Sequence, residues 1–244
     1  MDIYRGKLEL LDYLFFATVE RGKVYETGMF VHNYALTYAL GLVKAESYTY
    51  SNLQQQPLYQ DELTPLNGIV YLTPAAPIKD VSHRLVQWNT LPEGYAFPGK
   101  PPSIGYPDWG FVRVLRPQGE FKFYLILHES NNINPHLDNL LAGRPLRVRL
   151  GKFNGKAKIT LTKADKITEK TGEFRSNTLL NWRDISADPW VCDVITASLP
   201  TRLINHSHFV EGRFYEAEFD DGAICLPQDM QYLARPVFTK KKRG

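Results

Sequence analysis

The chain has 244 residues, of which 43% are hydrophobic and 23% are charged, and its formal net charge is +3. This length suits one large domain or two small ones with a packed core, and so small a net charge does not establish nucleic-acid binding. The two cysteines, Cys192 and Cys225, argue against a disulfide framework and a zinc cluster. The N-terminus does not resemble a signal peptide, and its apolar run is too short to span a bilayer. We therefore expect a cytoplasmic protein with no membrane association, metal or cofactor.

The first part of the chain predicts a strand, a helix and a second strand. Residues 3–18 are rich in Tyr, Leu and Phe and predict one or two strands. Residues 29–42 are apolar on nearly every face, which predicts a deeply packed helix that ends near Gly41. Residues 68–73 predict a strand that Pro74 stops.

A long insertion follows. Residues 92–110 contain five prolines and four glycines with aromatic residues between them. Connections of this length are usually functional or disordered, and the aromatic residues argue against pure disorder. These aromatic side chains either stack on bases or dock on a neighbouring subunit, or they form a small satellite core. The aromatic candidates are Trp88, Tyr95, Tyr106 and Trp109, and the nearby candidates for phosphate contacts are Arg84 and Lys100, for which solvated surface charge is the alternative reading.

The middle of the chain completes a recognisable order of elements. Residues 111–115 and 121–127 predict a second hairpin, and a short helix follows with Asn134 as its N-cap, Pro135 in its first turn and Gly143 as its stop. The order strand, helix, strands, helix, strand predicts an α+β fold of the ferredoxin-like or RRM-like kind, with a large insertion before its third strand. Sheets of this kind often bind single-stranded RNA on an open face.

Residues 144–163 predict a hairpin with one apolar face and one basic face. Asn154-Gly155 is a typical type I′ turn, which would pair Leu150 with Ile159 and Val148 with Leu161. Gly151 would then lie opposite Lys158, where another backbone could approach closely. The residues expected on the basic face are Arg147, Arg149, Phe153, Lys156, Lys158, Thr160 and Thr162. No acid of the hairpin interrupts this face, which suits a phosphate backbone with bases stacked nearby, and an ordinary solvated strand face is the alternative.

Charge is distributed unevenly along the chain. Residues 144–170 contain nine basic residues and two acids, whereas residues 173–238 contain ten acids and five arginines. The acidic part predicts a second, β-rich segment, with strands at residues 190–197, 213–219 and 223–226. One part of the chain is therefore expected to face a polyanion and the other to face something else.

The histidines are candidates for metal-independent RNA cleavage, which needs a general base and a general acid. His206 and His208 would share one face of a strand, and His83 lies near the insertion. His32 lies in the apolar helix, which favours a hydrogen-bonded core or groove residue. Surface and capping roles are commoner for such histidines, so they are weak evidence for catalysis.

Three segments resemble a known family. They are Ile3-Tyr-Arg-Gly-Lys-Leu-Glu-Leu-Leu-Asp-Tyr-Leu-Phe-Phe-Ala-Thr18, Tyr25-Glu-Thr-Gly-Met-Phe-Val-His-Asn-Tyr-Ala-Leu-Thr-Tyr-Ala-Leu40 and Gly68-Ile-Val-Tyr-Leu-Thr-Pro-Ala-Ala76. The chain is similar to the Cas-five-type subunit (the "Csc-one" group) of the type I-D CRISPR Cascade. The resemblance covers most of the chain and is weak in the C-terminal third.

The resemblance implies an RRM-like RAMP palm at residues 1–172, with a protruding thumb inserted at about residues 79–124. Residues 173–244 would form a β-rich C-terminal subdomain with a basic tail. The family holds the 5′ handle of the guide RNA (crRNA) and caps that end of the backbone filament in antiviral defence. A separate subunit processes the guide RNA in type I-D systems, so the resemblance also implies a protein that is not an enzyme.

The implied partners are the crRNA 5′ handle, a Cas-seven-type backbone subunit, a Cas-ten-type large subunit, and target DNA near the PAM as a further contact. The residues predicted to bind RNA are Arg147, Arg149, Gly151, Lys152, Asn154, Lys156 and Lys158 of the hairpin, with Arg84, Trp88, Lys100, Tyr106, Trp109 and His32 elsewhere. Two alternatives stay open: a metal-independent crRNA-processing endoribonuclease of the same superfamily, and a structural protein without RNA contacts.

Overall fold

The computed structural model describes residues 1–22, 24–43, 58–89, 109–129, 134–196 and 198–235, and the basic tail lies outside these ranges. The α-helices are α1 (Asn33–Ala39), α2 (Tyr59–Leu63) and α3 (Pro135–Leu141), and the short 3-10 helices are Thr64–Leu66 and Trp182–Asp184. In the described part of the chain, no helix combines the length and the apolar character needed to cross a membrane.

The strands are β1 (Asp2–Leu10), β2 (Val19–Arg21), β3 (Val24–Glu26), β4 (Val70–Leu72), β5 (Ala76–Pro77), β6 (His83–Asn89), β7 (Trp109–Leu115), β8 (Glu120–Leu127), β9 (Leu146–Leu150), β10 (Gly155–Lys163), β11 (Lys166–Thr171), β12 (Phe174–Ser176), β13 (Leu180–Asn181), β14 (Val191–Ile195), β15 (Leu203–Phe209), β16 (Arg213–Phe219) and β17 (Gly222–Pro227).

The central sheet has the order β4-β8-β1-β10-β9, and the short strand β5 also pairs with β8. All of its pairings are antiparallel. The strands β1, β4, β8 and β10, with α1 after the first and α3 after the third, follow the split βαβ arrangement, in which the first and third strands are central. The chain is thus a mixed, strand-rich α+β protein with a ferredoxin-like palm, and the predicted fold class is confirmed.

The helix α1 is shorter than the fourteen residues predicted, because its flanks are used otherwise. Val31 forms an isolated β-bridge with Ala75, and His32 caps the helix by accepting a hydrogen bond from the backbone N–H of Tyr34. The helix then ends before Gly41, which has a φ of 67°. The apolar run therefore contains one strand-like bridge as well as a helix, and composition alone does not separate them.

The caps of α3 are confirmed. The Asn134 side chain accepts a hydrogen bond from the backbone N–H of His136 at 2.8 Å, Pro135 begins the helix, and Gly143 follows it with a φ of 80°. The Asn134 side-chain amide also donates to the carbonyl oxygen of Gly41 at 2.5 Å. One residue therefore caps α3 and ties its beginning to the end of α1.

A separate four-stranded sheet has the order β2-β3-β7-β6, in which β3 and β7 are parallel. The predicted hairpin of residues 111–115 with 121–127 is wrong, because β7 pairs with β6 and β3 while β8 belongs to the central sheet. The chain changes sheets at a tight turn where Gln118 has a φ of 68°. We call this second sheet the inserted sheet, since β6 and β7 lie between β5 and β8 in sequence.

The C-terminal segment packs on the palm. It contains the sheet β11-β16-β17 and a second sheet in which β12, β13 and β14 surround β15, and the predicted strands at 190–197, 213–219 and 223–226 correspond to β14, β16 and β17. One continuous core contains Leu8 and Leu125 of the central sheet together with Leu180 and Tyr232. The domain boundary at residue 172 stays a prediction, because this core crosses it.

Candidate nucleic-acid interface

The hairpin of β9 and β10 exists, but its register differs from the prediction. Leu150 pairs with Gly155, whereas the sequence predicted that it pairs with Ile159. The register therefore differs by four residues, and the predicted pairing of Val148 with Leu161 is wrong by the same amount. Because four is an even number, every side chain stays on the predicted face of the strand.

The turn of this hairpin spans residues 151–154 and is not a two-residue turn at Asn154-Gly155. Gly151 has a φ of 73° and Asn154 has a φ of 50°, so both ends of the turn use the left-handed region. Gly and Asn are the residues that tolerate this region best. The turn begins at Gly151, and β10 begins four residues later.

The two faces of the hairpin are as predicted. Val148 and Ala157 are buried, and Arg147, Arg149 and Lys156 are exposed. Arg147 lies directly opposite Lys158, and Arg149 lies opposite Lys156. Like charges directly opposite each other repel, so these two pairs favour a bound anion between them.

The charges on the basic face are unevenly neutralised. Lys158 forms an ion pair with Glu9 of the neighbouring strand β1, with Nζ 3.0 Å from Oε2. The prediction that no acid interrupts this face is therefore wrong where the face meets β1. Within the described ranges, no ion pair involves Arg147, Lys152 or Lys156. Among the described residues, no neighbouring acid therefore balances the charges of these three side chains.

Close backbone packing fixes the tip of the hairpin. A Cβ atom added at Gly151 would lie 2.6 Å from the carbonyl oxygen of Phe15, and one at Gly155 would lie 2.4 Å from that of Tyr13. The backbone N–H of Lys152 donates to the same Phe15 carbonyl at 2.8 Å. Gly151 is thus in the turn and not opposite Lys158, but the predicted close approach of another backbone is confirmed.

The tip of the hairpin also contacts the inserted sheet. The ring centroids of Phe153 and Phe15 are 4.9 Å apart, and Phe15 packs in a small core with Val112 and Val114 of β7. The Arg84 guanidinium of β6 lies 5.5 Å from the centroid of the Tyr13 ring and donates to its hydroxyl. A pocket of about 440 Å³ is lined by Arg84 and Phe153, among others. Arg84 therefore lies beside the basic hairpin, although seventy residues separate them along the chain.

A larger cleft of about 980 Å³ lies between the hairpin tip and α1. Its hairpin wall is polar and positively charged, and the opposite wall is aromatic and apolar. The residues of the hairpin wall include Arg149, Gly151, Lys152 and Asn154, and the opposite wall includes Phe16, Phe30, His32, Tyr38, Tyr59, Leu199 and Pro200. Phe16, Tyr38 and Tyr59 are half-buried there. Cations beside aromatic rings are the combination that proteins use to bind single-stranded nucleic acids.

The cleft combines predicted residues with residues that the sequence did not indicate. Five of the predicted RNA-binding residues line it, whereas Phe16, Phe30 and Tyr38 lie in segments predicted only as strand or helix. Within α1, Ala35, Tyr38 and Ala39 have the spacing of one helical face, which is the signal that could have indicated this wall.

His32 lies at the inner end of this cleft and is 5% exposed. Its Nδ1 accepts the hydrogen bond from Tyr34, so its Nε2 carries the hydrogen and donates to the Thr201 hydroxyl at 2.8 Å. Burial lowers the pKa of His32 to about 3, which keeps the ring neutral. The expectation of a hydrogen-bonded groove residue is confirmed, and its contact with RNA stays a prediction.

Sequence comparison with protein families decides the relationship of the chain. The family described as Type I-D CRISPR-associated protein Cas5/Csc1 matches residues 1–235. The chain belongs to this family. No curated protein matches its sequence. The predicted membership is therefore confirmed, and with it a role in CRISPR.

Solved structures of CRISPR proteins are similar to this family member at 12% sequence identity. One chain, from the cryo-EM structure of the Type III-B Cmr-beta bound to cognate target RNA and AMPPnP, gives a TM-score of 0.49 and covers 85% of this chain and 86% of its own length. A CRISPR protein from Archaeoglobus fulgidus gives 0.42, with 93% and 99% covered, and a chain of a Type IV-B CRISPR complex gives 0.32, with 66% and 90% covered. Because these identities and TM-scores are low, the fold assignment rests on the strand order.

The other histidines of this Cas5/Csc1 family member have separate partners. His83 Nε2 is 2.7 Å from the carbonyl oxygen of Thr27. His206 Nδ1 is 2.8 Å from Asp193, and His208 Nε2 is 2.8 Å from Glu173. These contacts with carbonyl and carboxylate groups do not join the three histidines to one another.

Several predicted residues of the insertion cannot be placed. Lys100, Tyr106 and Tyr95 lie outside the described residues. Trp88 and Trp109 lie on β6 and β7, where Trp88 pairs with Gly110, but their side chains are outside what the structure describes. A role for these residues in RNA binding stays a prediction.

A buried polar network behind the cleft was not indicated by the sequence. Asp184 is fully buried and accepts hydrogen bonds from the side chains of Asn33 (2.8 Å), Tyr34 (2.7 Å) and Tyr71 (3.2 Å). It also accepts from the Asn181 side chain and from the backbone N–H of Leu233, both at 2.9 Å. Burial raises the pKa of Asp184 to about 6, against the opposing effect of these hydrogen bonds.

This network supports the aromatic wall of the cleft. Thr201, which accepts the hydrogen bond from His32, donates its own hydroxyl to Asn181 at 2.7 Å. A continuous chain of hydrogen bonds therefore runs from His32 to Asp184. It fixes the position of α1 against the C-terminal segment.

Proposed function

We propose that this protein is a non-catalytic crRNA-binding subunit of the type I-D Cascade, which caps the 5′ handle of the guide RNA. The proposal rests on one observation. Within the described part of the chain, cations without ion-pair partners lie beside an aromatic cleft. Family membership supports the setting, since the chain belongs to the type I-D Cas5/Csc1 family.

The phosphates of the handle follow the basic face of the hairpin. Arg147, Arg149 and Lys156 are exposed there, and Lys152 lies at the tip. Arg84 extends this path to the inserted sheet, where it stacks on Tyr13. Each phosphate neutralised in this way releases condensed counterions, so affinity falls steeply as salt rises.

The bases of the handle enter the cleft between the hairpin tip and α1. Phe16 lines it together with Tyr38 and Tyr59, which pack on each other, and Asn154 supplies amide groups for hydrogen bonds to base edges. One stacked base contributes about 1–3 kcal/mol, so one or two bases in the cleft supply a substantial share of the affinity.

The absence of catalysis is part of this proposal, with an endoribonuclease as the alternative that the test must exclude. Two observations support a binding role. His32, the histidine that lines the cleft, is neutral and uses both ring nitrogens in hydrogen bonds. His83, His206 and His208 each contact a different partner.

The remaining surfaces face protein partners. The inserted sheet would meet the first Cas-seven-type backbone subunit, and the acidic C-terminal segment would meet the Cas-ten-type large subunit near the PAM end of the target DNA. The acidic composition of residues 173–238 supports a protein partner for this segment, because acidic side chains repel a phosphate backbone.

The test is a binding titration with 5′-handle RNA at several salt concentrations. The double variant Arg149→Glu/Lys156→Glu should bind at least tenfold more weakly, and the slope of log affinity against log salt should fall by about 0.7 for each lost contact. The matched control is Arg175→Glu/Arg202→Glu, which changes the net charge equally on the exposed C-terminal segment. Equal losses in both variants would contradict the assigned RNA path.

A cleavage assay completes the test. The purified protein is incubated with repeat RNA in the absence of metal, and the RNA should stay intact. If the RNA is cut, and the His83→Ala or His206→Ala variant abolishes cutting, the non-catalytic assignment is wrong and the endoribonuclease replaces it.

A further inference from the structure

The strand β14 presents an exposed apolar edge that the proposed RNA path does not use. Trp190, which precedes the strand, is 76% exposed, and Val191 and Val194 are 56% and 47% exposed. Within the described ranges β14 pairs only with β15, so its other side has no strand partner there.

This edge has little of the protection that edge strands usually show. Lysine, proline and short length are the common devices, whereas β14 has the sequence Val-Cys-Asp-Val-Ile with a single charge. A register irregularity lies between Val191 and Asp193, but from Asp193 to Ile195 the pairing with β15 is regular. The outer side of this regular stretch can accept another strand.

Packing across the sheet indicates that this edge is incomplete. Val194 lies directly opposite Ile204 and therefore shares its face of the sheet, yet Ile204 is fully buried while Val194 is half exposed. A strand added beside β14 would cover Val194 and extend the apolar surface to Trp190. Exposed aromatic residues of this size commonly serve as anchors in protein interfaces.

The charge around the edge selects the class of partner. From Ala187 to Glu211 the chain contains three acids and one arginine. Asp193 lies on β14 itself, and Glu173 contacts His208 of the neighbouring strand. Acids repel a phosphate backbone and attract basic side chains, so the partner is protein and not RNA.

We infer that β14 and Trp190 form a docking edge for an extended strand of a second protein subunit of the effector complex. The added strand carries apolar side chains that pack on Val194 and Trp190, and a Lys or Arg that pairs with Asp193. Main-chain hydrogen bonds to the outer side of β14 supply affinity, and the side chains supply specificity. This inference rests on the proposed function for the identity of the complex, but not for the RNA path.

The experiment uses the full chain co-expressed with the other protein subunits of the complex and the guide RNA, followed by native mass spectrometry. Val194→Lys and, separately, Trp190→Ala should lower the occupancy of one protein subunit at least tenfold. Ile78→Lys is the matched control, since Ile78 is 43% exposed on another part of the surface, and it should leave the composition unchanged. Thermal unfolding should show that all three variants remain folded.

Other outcomes overturn the inference. Unchanged composition in both β14 variants means that the edge is not a docking site. Loss of a dimer of the isolated chain, with the complex intact, means that a second copy occupies the edge. Loss of affinity for handle RNA in the isolated variants means that RNA occupies it. Failure of the proposed function is distinguishable, because the Arg149→Glu/Lys156→Glu variant would then bind handle RNA normally whatever happens at β14.

Discussion

Two antiparallel strand pairs of this molecule, β9–β10 and β11–β16, carry cations in different ways. In the C-terminal sheet, Lys166 lies 3.6 Å from Glu218, and Lys170 pairs with Glu216. On the β9–β10 hairpin, Arg147 and Lys156 have no acid partner in the described part of the chain. The β9–β10 hairpin carries more basic residues than β11 and β16 do, but the acids on the neighbouring strands decide which charges are neutralised. A charge count along the sequence therefore does not show which cations lack an acid partner, whereas the pairing of strands does.

The largest expected effect concerns the tip that holds the basic hairpin in place. Gly151→Val should lower the free energy of unfolding by about 3–5 kcal/mol, because its φ is positive and a Cβ would collide with the Phe15 carbonyl. Gly143→Val is the matched control: Gly143 has a similar φ of 80° and open space around its Cβ position. Chemical denaturation measures both. A cost at Gly151 no larger than at Gly143 would mean that contact with residues 13–15 does not fix the hairpin.

The next effect concerns the C-terminal segment, which is held by a buried acid as well as by surface ion pairs. The pKa of Asp184 is raised from 3.8 to about 6, so the folded chain keeps a proton that the unfolded chain releases. The contribution of protonated Asp184 to stability is complete below about pH 4, and it is lost as the pH rises through about 6. Relative to Asp184→Asn, which does not titrate, the native chain should lose about 3 kcal/mol of unfolding free energy over this interval.

Urea denaturation of both proteins measures this difference between about pH 4, near the unfolded pKa, and about pH 7, above the folded pKa. A constant difference between the native chain and the variant across that range would show that Asp184 does not titrate with a raised pKa. A difference of the opposite sign would show that the five hydrogen bonds outweigh burial.

The sequence predicted the parts of the fold that local signals determine. The caps of α3 at Asn134 and Gly143 follow from side-chain chemistry within one helix, and the two faces of the basic hairpin follow from alternation. The register of that hairpin was missed, since the choice between a turn at residues 151–154 and one at Asn154-Gly155 depends on the backbone of residues 13–15, which is distant in sequence.

The site was predicted only in part for the same reason. Lys152 and Asn154, which were predicted to bind RNA, line the cleft, but its aromatic wall brings together residues of separate elements. The Asp184 network joins α1 to a residue about 150 positions away. The pairing of Lys158 with Glu9 likewise depends on the neighbouring strand and not on the hairpin. Periodicity identifies a face, whereas non-local packing decides what that face contacts.

A third test separates stacking from charge on the basic hairpin. Phe153→Ala should weaken the binding of handle RNA about tenfold, in keeping with the loss of one base stack of about 1–3 kcal/mol. The salt slope should stay unchanged, because no charge is removed. Trp190→Ala, which removes an exposed ring from the acidic segment, is the control and should not affect RNA binding. A changed slope in Phe153→Ala would indicate that the ring positions the cations and does not stack on a base.

The smallest expected effect tests the comparison of the two strand pairs most directly. Glu9→Gln removes the acid that neutralises Lys158, and Glu218→Gln does the same for Lys166 in the C-terminal sheet. Exposed ion pairs contribute only about 0–1 kcal/mol, so neither variant should be destabilised by more than this. Only Glu9→Gln releases a cation on the RNA path, so it alone should bind handle RNA a few-fold more tightly, with a salt slope steeper by about 0.7. Titrations of the two variants at three salt concentrations measure this. Equal gains in both would mean that the RNA responds to net charge and not to the position of the released lysine, and the distinction between the two strand pairs would then be lost.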